Sequence, residues 1–505
     1  MKIKLYSKNF KKLRADLLIV PLFETENNRE IISLLGKDFV NKYKQSSKNK
    51  IFKAKFGECY VLNGVKEIYA KQVLMLGLGK KEKFDLELLR RISSVAYSKT
   101  KSLKLKSYIS LLSLVSDVKL TGCCANSKNC GVTEMDKVFA ITESTLLSDY
   151  KFDQLKTKKN SNGCKIEELL IYVKSENKEI ESAVKNAVIV AEGTNYCRDL
   201  VNLPPNILGP SYFSKEALRL KSSKVKVRVL GDKELVKGKF GGILAVSSGS
   251  AKGARLIVID YNPAGAKESI ALVGKGITFD AGGLNLKPSS YISTMKSDMS
   301  GAAAVISTLK IVSKLGLKKR VIGVIPTCEN MTGSKAYRPD DILKMYNGKT
   351  VEIGNTDAEG RLILADALAF VEKNYKPEKI VDLATLTGAC VVALGHYASG
   401  ILSRDDDLVK ELTCAANKTG DRVWRLPMWD DYMGIVDGDI SDIRNIGRER
   451  AAGTVEGAVF LSHFVKKTPW AHLDIAGTAF LKESKYYLPK YGTGAGVRLL
   501  VEWLS

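Results

Sequence analysis

Residues 269–289 read SIALVGKGITFDAGGLNLKPS. The segment opens as an apolar, β-branched run, places Lys275 and Asp280 after it, turns at Gly282-Gly283 and then presents Lys287. Such a run, bounded by glycines, reads as a strand that ends in a loop. Its neighbours repeat the theme. RLIVIDY (255–261), RVIGVIPTC (320–328) and KIVDLATL (379–386) read as strands, and GAAAVISTLKIVSKLG (301–316) and ILADALAFVEK (363–373) as helices. Strands alternating with helices predict an α/β fold, a sheet with helices on both faces. Ligands of such sheets gather at the carboxyl ends of strands.

Working outward, residues 1–150 form a smaller α/β unit. DLLIVPLF (16–23) and QVLMLGLG (72–79) read as strands, and FDLELLRRISSVAYSKT (84–100) as an amphipathic helix. The polar stretch KFDQLKTKKNSNGCK (151–165) is a connector or exposed turn. After the strand-like ELLIYV (168–173), residues 177–204 read as a long helix stopped by Pro204-Pro205, because the residue before a proline is pushed out of the helical region. The expected division is an N-terminal domain over 1–165, a connecting segment and helix over 166–190, and a catalytic domain over 191–505. The 505 residues suit two domains, each with its own core.

No apolar run approaches the ~20 residues of a membrane-spanning helix, and the N-terminus lacks the apolar core of a signal peptide. Nine scattered cysteines do not make a disulfide framework. The closest group, Cys123, Cys124 and Cys130, lacks the CxxC pair or histidine that completes a zinc site. Free thiols and a cytoplasmic location are the expectation. The net charge of +24 is concentrated in residues 1–180, where 35 Lys and Arg face 20 Asp and Glu. The excess is dispersed and mostly lysine, so it reads first as solvated surface. A nucleic-acid-binding regulator built on the basic first third is the rival reading.

Only three histidines exist, His396, His463 and His472. There is no HExxH, no GxSxG elbow and no Walker-type loop; GLGKKEKF (77–84) lacks the required spacing. That leaves carboxylates. Asp280 follows one strand, Asp298 in MKSDMSGAAAV (295–305) precedes a small-residue helix, and NTDAEGRL (355–362) adds Asp357, Glu359 and Arg361. Four carboxylates at strand-to-loop transitions are costly to desolvate together unless cations neutralise them. Hard divalent metals with oxygen ligands do so. Singly, each piece has a structural reading: Asp298 as a helix N-cap, Lys275 or Lys287 paired with a nearby acid, Arg361 ion-paired with Glu359. Their coincidence favours the metal reading.

These segments, GKGITFDAGGLNLKP, MKSDMSGAAAV, NTDAEGRLILADAL and DLATLTGA, resemble in order and interval the leucine aminopeptidase family of dinuclear metallopeptidases. RDLVNLPPN (198–206), AYRPDDIL (336–343), HLDIAGTAF (472–480) and GTGAGVRLLVEWL (492–504) extend the resemblance across residues ~190–505, and GLGKKEKFDLELLRR carries it more weakly into the first domain. The resemblance implies a macro-domain-like N-terminal domain and a catalytic domain with a central mixed sheet flanked by helices. It implies two divalent cations, zinc or manganese, with magnesium or cobalt also suited to the looser position. The tighter ion would be held by Lys275, Asp280, Asp298 and Glu359, the looser one by Asp280, Asp357 and Glu359. Lys287 would stabilise the developing oxyanion, and Arg361 would hold a bicarbonate that accepts a proton. The pocket for the substrate's first side chain would be lined by Met295, Thr385, Gly388, Ala476 and Ala479, with the Leu386 carbonyl near the catalytic water. A cytosolic homohexamer that trims Leu or Met from short peptides is the implied function, with no membrane partner. Two residues depart from the family's usual pattern: Ala281 stands where serine is usual, and Thr332 where proline is usual.

Overall fold

The computed structural model describes residues 1–24, 28–120, 131–158, 164–449 and 451–505. The cysteine cluster Cys123, Cys124 and Cys130 lies outside the described residues. Two compact units emerge: Met1–Glu192 with Ser484–Pro489, and Gly193–Glu483 with Lys490–Ser505.

The first unit is built on six strands: β1 (Lys2–Tyr6), β2 (Leu17–Leu22), β3 (Cys59–Asn63), β4 (Gln72–Gly77), β5 (Ser107–Ser110) and β6 (Glu168–Tyr172). They lie in the order β1-β6-β5-β2-β4-β3, all parallel except β3, which runs antiparallel to β4. β2 is buried along its whole length, which is why it carries no alternation of polar residues. Its side chains alternate between faces all the same. Leu17 and Ile19 join a core with Leu89, Ile92 and Ile141, while Leu18, Val20 and Leu22 join another with Phe39 and Phe52. The first core is closed by helices Leu86–Ser102 and Glu134–Ser148. Asp85 caps the former by accepting from the Leu88 amide, and Thr133 with Asp136 forms a capping box on the latter.

The second unit continues with β7 (Val225–Leu230), β8 (Arg255–Tyr261), β9 (Ser269–Gly274), β10 (Gly276–Asp280), β11 (Arg320–Asn330), β12 (Ile342–Lys344), β13 (Thr350–Glu352), β14 (Lys379–Ala384), β15 (Ser399–Leu402), β16 (Val423–Arg425), β17 (Ile443–Arg444) and β18 (Trp470–Asp474). The main sheet runs β16-β15-β18-β14-β9-β11-β8-β7, with β10 also pairing β11; β12, β13 and β17 form a small separate sheet. β18, β14, β9 and β11 are mutually parallel, and β10 runs parallel to β11. Their carboxyl ends therefore open on the same side. The strand expected before Lys275 is β9, and a second short strand, β10, follows Lys275 where a loop was expected.

Helices Ser300–Leu315 and Glu359–Tyr375 pack on this sheet, buried from Ser300 to Leu309 and from Glu359 to Val371. The start of the first is fitted to the strand ends backbone to backbone. A Cβ at Gly301 would meet the Leu383 carbonyl at 2.0 Å, and one at Gly274 would meet the Gly301 carbonyl at 2.5 Å. The contact is sealed by hydrogen bonds from the Lys275 amide to the Leu383 carbonyl and from the Ala302 amide to the Lys275 carbonyl. Only glycine tolerates that approach.

Candidate metal centre

Six charged side chains converge where β9, β10 and β14 end. Lys275, in the break between β9 and β10, donates from Nζ to Asp298 Oδ1 at 2.8 Å and to the Thr385 carbonyl at 2.9 Å, and stands 2.8 Å from Glu359 Oε1. Its stem lies along the first turn of the 359–375 helix, where a Cβ at Gly360 would come within 2.4 Å of Lys275 Cε. Asp280 closes β10; its Oδ1 accepts from the Gly282 amide and from Asn330 Nδ2, and its Oδ2 lies 2.8 Å from Lys287 Nζ. Gly282 and Gly283 have φ of +88° and +64°, so the turn returning Lys287 to the site needs residues free of a Cβ. Lys287 also reaches Asp357 Oδ1 at 2.6 Å.

Asp298 does not cap the helix that follows: Met299 takes that position. Its carboxylate turns inward and accepts from Lys275 and from Thr385 Oγ1. Glu359 is the first residue of its helix, where the helix dipole favours negative charge.

The electrostatics are unbalanced. Four carboxylates face two lysines, and Lys275, Asp280, Asp298 and Glu359 are all buried. Burial, with the Glu359 charge beside it, pushes the Asp280 carboxyl up to about 7. Burial raises Asp298 and Asp357 as well. Glu359 is driven down against its burial by Lys275 and Lys287, and both lysines are held as ammonium ions by the acids around them.

Both Glu359 oxygens, Asp298 Oδ2 and Asp357 Oδ1 are buried; Glu359 Oε1, Asp298 Oδ2 and Asp357 Oδ1 each face only a lysine Nζ at 2.6–2.8 Å, and Glu359 Oε2 has no hydrogen-bond partner among the described residues. Oxygens of Asp280, Asp357 and Glu359 lie within 4.8 Å of one another. The partnerless Glu359 Oε2, excess negative charge and an oxygen-rich donor set fit hard divalent cations. Lys275 could join them only after losing its proton, which a neighbouring cation favours.

Models of the cytosol aminopeptidase family match the chain twice, the catalytic domain over residues 195–501 and the N-terminal domain over 19–159. The chain belongs to the cytosol aminopeptidase family. It is accordingly a peptidase of the hydrolase class, an aminopeptidase. A probable cytosol aminopeptidase of Geobacter sp. (strain M21) is 40% identical, covering 100% of this chain and 99% of the relative. Another, from Cenarchaeum symbiosum, is 44% identical over 72% of this chain and 75% of its own. Among solved structures, a tomato leucine aminopeptidase mutant superposes with a TM-score of 0.85 at 30% identity, covering 100% of this chain and 96% of that one. The bottromycin maturation enzyme BotP in complex with Mn gives 0.82 at 30% identity, covering 97% and 99%. These likenesses fit the fold class expected from sequence. They lend no support to a nucleic-acid regulator. No helix among the described residues is long and apolar enough to cross a membrane.

Around the centre of this aminopeptidase, Thr385 and Leu386 follow β14, and Gly388 begins the helix Gly388–Leu394. The amides of Leu386 and Ala476 both donate to Asp474 Oδ1, which ties these two stretches together. Met295 is half-buried at the start of a short 3-10 turn, and Ala479 is buried. Ala281 is buried too; its amide donates to the Asn330 carbonyl and its carbonyl accepts from the Lys287 amide. Arg361 does not pair with Glu359. Its Nη1 donates to Glu456 Oε1 at 2.7 Å and to the Asn445 carbonyl at 2.6 Å. Glu456 and Asn330 went unremarked in the sequence. The visible sign was a carboxylate standing in the small-residue run AGTVEGAVF (452–460).

Proposed function

We propose that this aminopeptidase is a two-metal leucyl aminopeptidase that removes N-terminal residues, Leu or Met by preference, from short peptides. The observation that carries the reading is the uncompensated cluster itself: Asp280, Asp298, Asp357 and Glu359 share only two lysines, and the buried Glu359 Oε2 has no partner among the described residues. Lys275, Asp280, Asp298 and Glu359 would hold one cation, and Asp280, Asp357 and Glu359 the other. When bound, the two ions supply Lewis acidity and an acidified water, and bicarbonate at Arg361 supplies a proton acceptor. Manganese or zinc suits the donor set.

The chain's own residues set the rest. Lys287, more accessible than Lys275, keeps its ammonium between Asp280 and Asp357 and is placed to donate to a substrate carbonyl oxygen as charge develops there. Arg361 offers its guanidinium to the anion. Two of the three histidines are already engaged: His472 Nδ1 lies against Asp382, and His396 Nδ1 against the Gly477 carbonyl. Met295, Thr385, Gly388, Ala476 and Ala479 would shape an apolar first pocket, and the Leu386 carbonyl would face the water. Cytoplasmic work as a homohexamer belongs to the same reading.

Leu-p-nitroanilide hydrolysis tests it. Activity should vanish on chelation, return with Mn²⁺ or Zn²⁺, and be lost in Asp357→Ala. Turnover without metal, or full activity in that variant, would overturn the site.

A further inference from the structure

Arg361 is buried, with its side chain 7% exposed, and its hydrogen bonds are lopsided. A guanidinium carries five N–H donors, two of them on Nη1. Both Nη1 hydrogens have acceptors, Glu456 Oε1 and the Asn445 carbonyl. Nε is buried with no hydrogen-bond partner among the described residues. Nη2 likewise makes no hydrogen bond there. It faces Gly457, where an added Cβ would lie 3.5 Å from Nη2 and 3.0 Å from Leu386 Cδ2. One edge of the fork is thus clamped and the opposite edge, Nε with Nη2, is left to a ligand. That edge is the one that binds a planar oxyanion through two parallel hydrogen bonds.

The clamp is also a counter-charge. Glu456 is buried in the helix Gly453–Ser462, and Gly447 leaves room for its second oxygen, since a Cβ there would meet Glu456 Oε2 at 2.8 Å. The Asn445 carbonyl is held as firmly. Its side chain accepts from the Gly354 amide and donates to the Asn355 carbonyl, the strand-to-loop turn that carries Asp357 and Glu359. Arg361 is therefore fixed to the loop that bears two of the carboxylates, with its own charge already neutralised.

We propose that Glu456 is a positioning residue that aims the Nε–Nη2 edge of Arg361 and keeps its hold on a carbonate-class anion weak and exchangeable. The proposal rests on the aminopeptidase reading above. Binding of ¹³C-bicarbonate to the metal-loaded enzyme, followed by carbon NMR and by the anion-dependent rise in melting temperature, tests it without recourse to turnover. Glu456→Gln keeps an acceptor for Nη1 and removes the counter-charge, so it should bind bicarbonate roughly tenfold more tightly. Gly457→Ala leaves the ion pair intact and crowds the open edge, so it should bind several-fold more weakly; it decides the matter if Glu456→Gln does not fold. In activity assays the half-saturating bicarbonate concentration should move the same way. A bicarbonate affinity within twofold of wild type in both variants overturns the proposal. If Arg361→Ala binds bicarbonate as well as wild type, the anion is elsewhere and the proposal falls, while metal-restored hydrolysis still decides the aminopeptidase reading separately.

Discussion

Two places in this molecule bury charge, and they do so to opposite ends. In the N-terminal unit Arg90 Nε donates to Glu143 Oε2 at 2.9 Å between two helices, both side chains almost wholly enclosed. One cation meets one anion and the charge balances, although Arg90 Nη1 is buried without a hydrogen-bond partner among the described residues. In the catalytic unit four carboxylates share two lysines, so negative charge is left over, and Glu359 Oε2 finds no partner among the described residues. A buried pair that balances holds helices together. A buried cluster that does not balance is completed by something from outside.

The sharpest way to break this contrast is to remove one member from each. Glu359→Gln should lower kcat/KM by about three orders of magnitude, because it removes a group proposed to serve both cations. The metal-free variant should melt close to metal-free wild type: the Glu359–Lys275 pair is lost, but Asp298 still pairs with Lys275 and three carboxylates remain on two lysines. A fall in its metal-free melting temperature would make the cluster structural. Arg90→Met should do the reverse. It leaves Glu143 buried without its cation and should cost about 3–5 kcal/mol in urea unfolding, with specific activity of the folded fraction retained.

A smaller effect separates the two units by ligand. Raising free Mn²⁺ to a hundred times its dissociation constant should stabilise wild type by about 2.7 kcal/mol. Arg90→Met should gain the same increment, and Glu359→Gln far less. Calorimetry with and without chelator checks it. Smallest is a pH effect within the main sheet. His472 Nδ1 lies 2.7 Å from Asp382 Oδ1, and although burial works against the charged ring, the Asp382 carboxylate holds its pKa above the ordinary value. The histidine's contribution to stability is then whole below the unfolded value near 6.5 and lost as pH rises through the higher folded value. The stability gap between wild type and His472→Gln should narrow across that window. A gap that widens with pH would reverse the assignment.

How far the sequence could be read follows from how local each feature is. β-branched runs and small-residue helices announce themselves within a dozen residues, so the α/β order was legible. So were Asp280, Asp298, Asp357 and Glu359 as acids standing at loops. The second strand beyond Lys275 was not, because Asp280 and the glycines after it read as loop, and only the main-chain fit of Gly301 against Leu383 explains why two strands meet at Lys275. Asp298 looked like a helix cap because caps are judged by position along the chain. Its true partners, Lys275 and Thr385, are 23 and 87 residues away. Arg361 pairs with Glu456 at a separation of 95 residues, and Asn330 reaches Asp280 across 50. Parallel strands joined by long crossovers bring such residues together, and no periodicity in the chain records it. The resemblance to a known family supplied part of what periodicity could not.

The glycines where β9, β14 and the 300–315 helix meet have a bearing on how experiments are read. Because main chain rests on main chain there, the frame is indifferent to the side chains it presents. Exchanging a carboxylate should leave the close approach of Gly301 to Leu383 and of Gly274 to Gly301 where it was. A loss of turnover in such a variant then reports chemistry, and the frame serves as its own control.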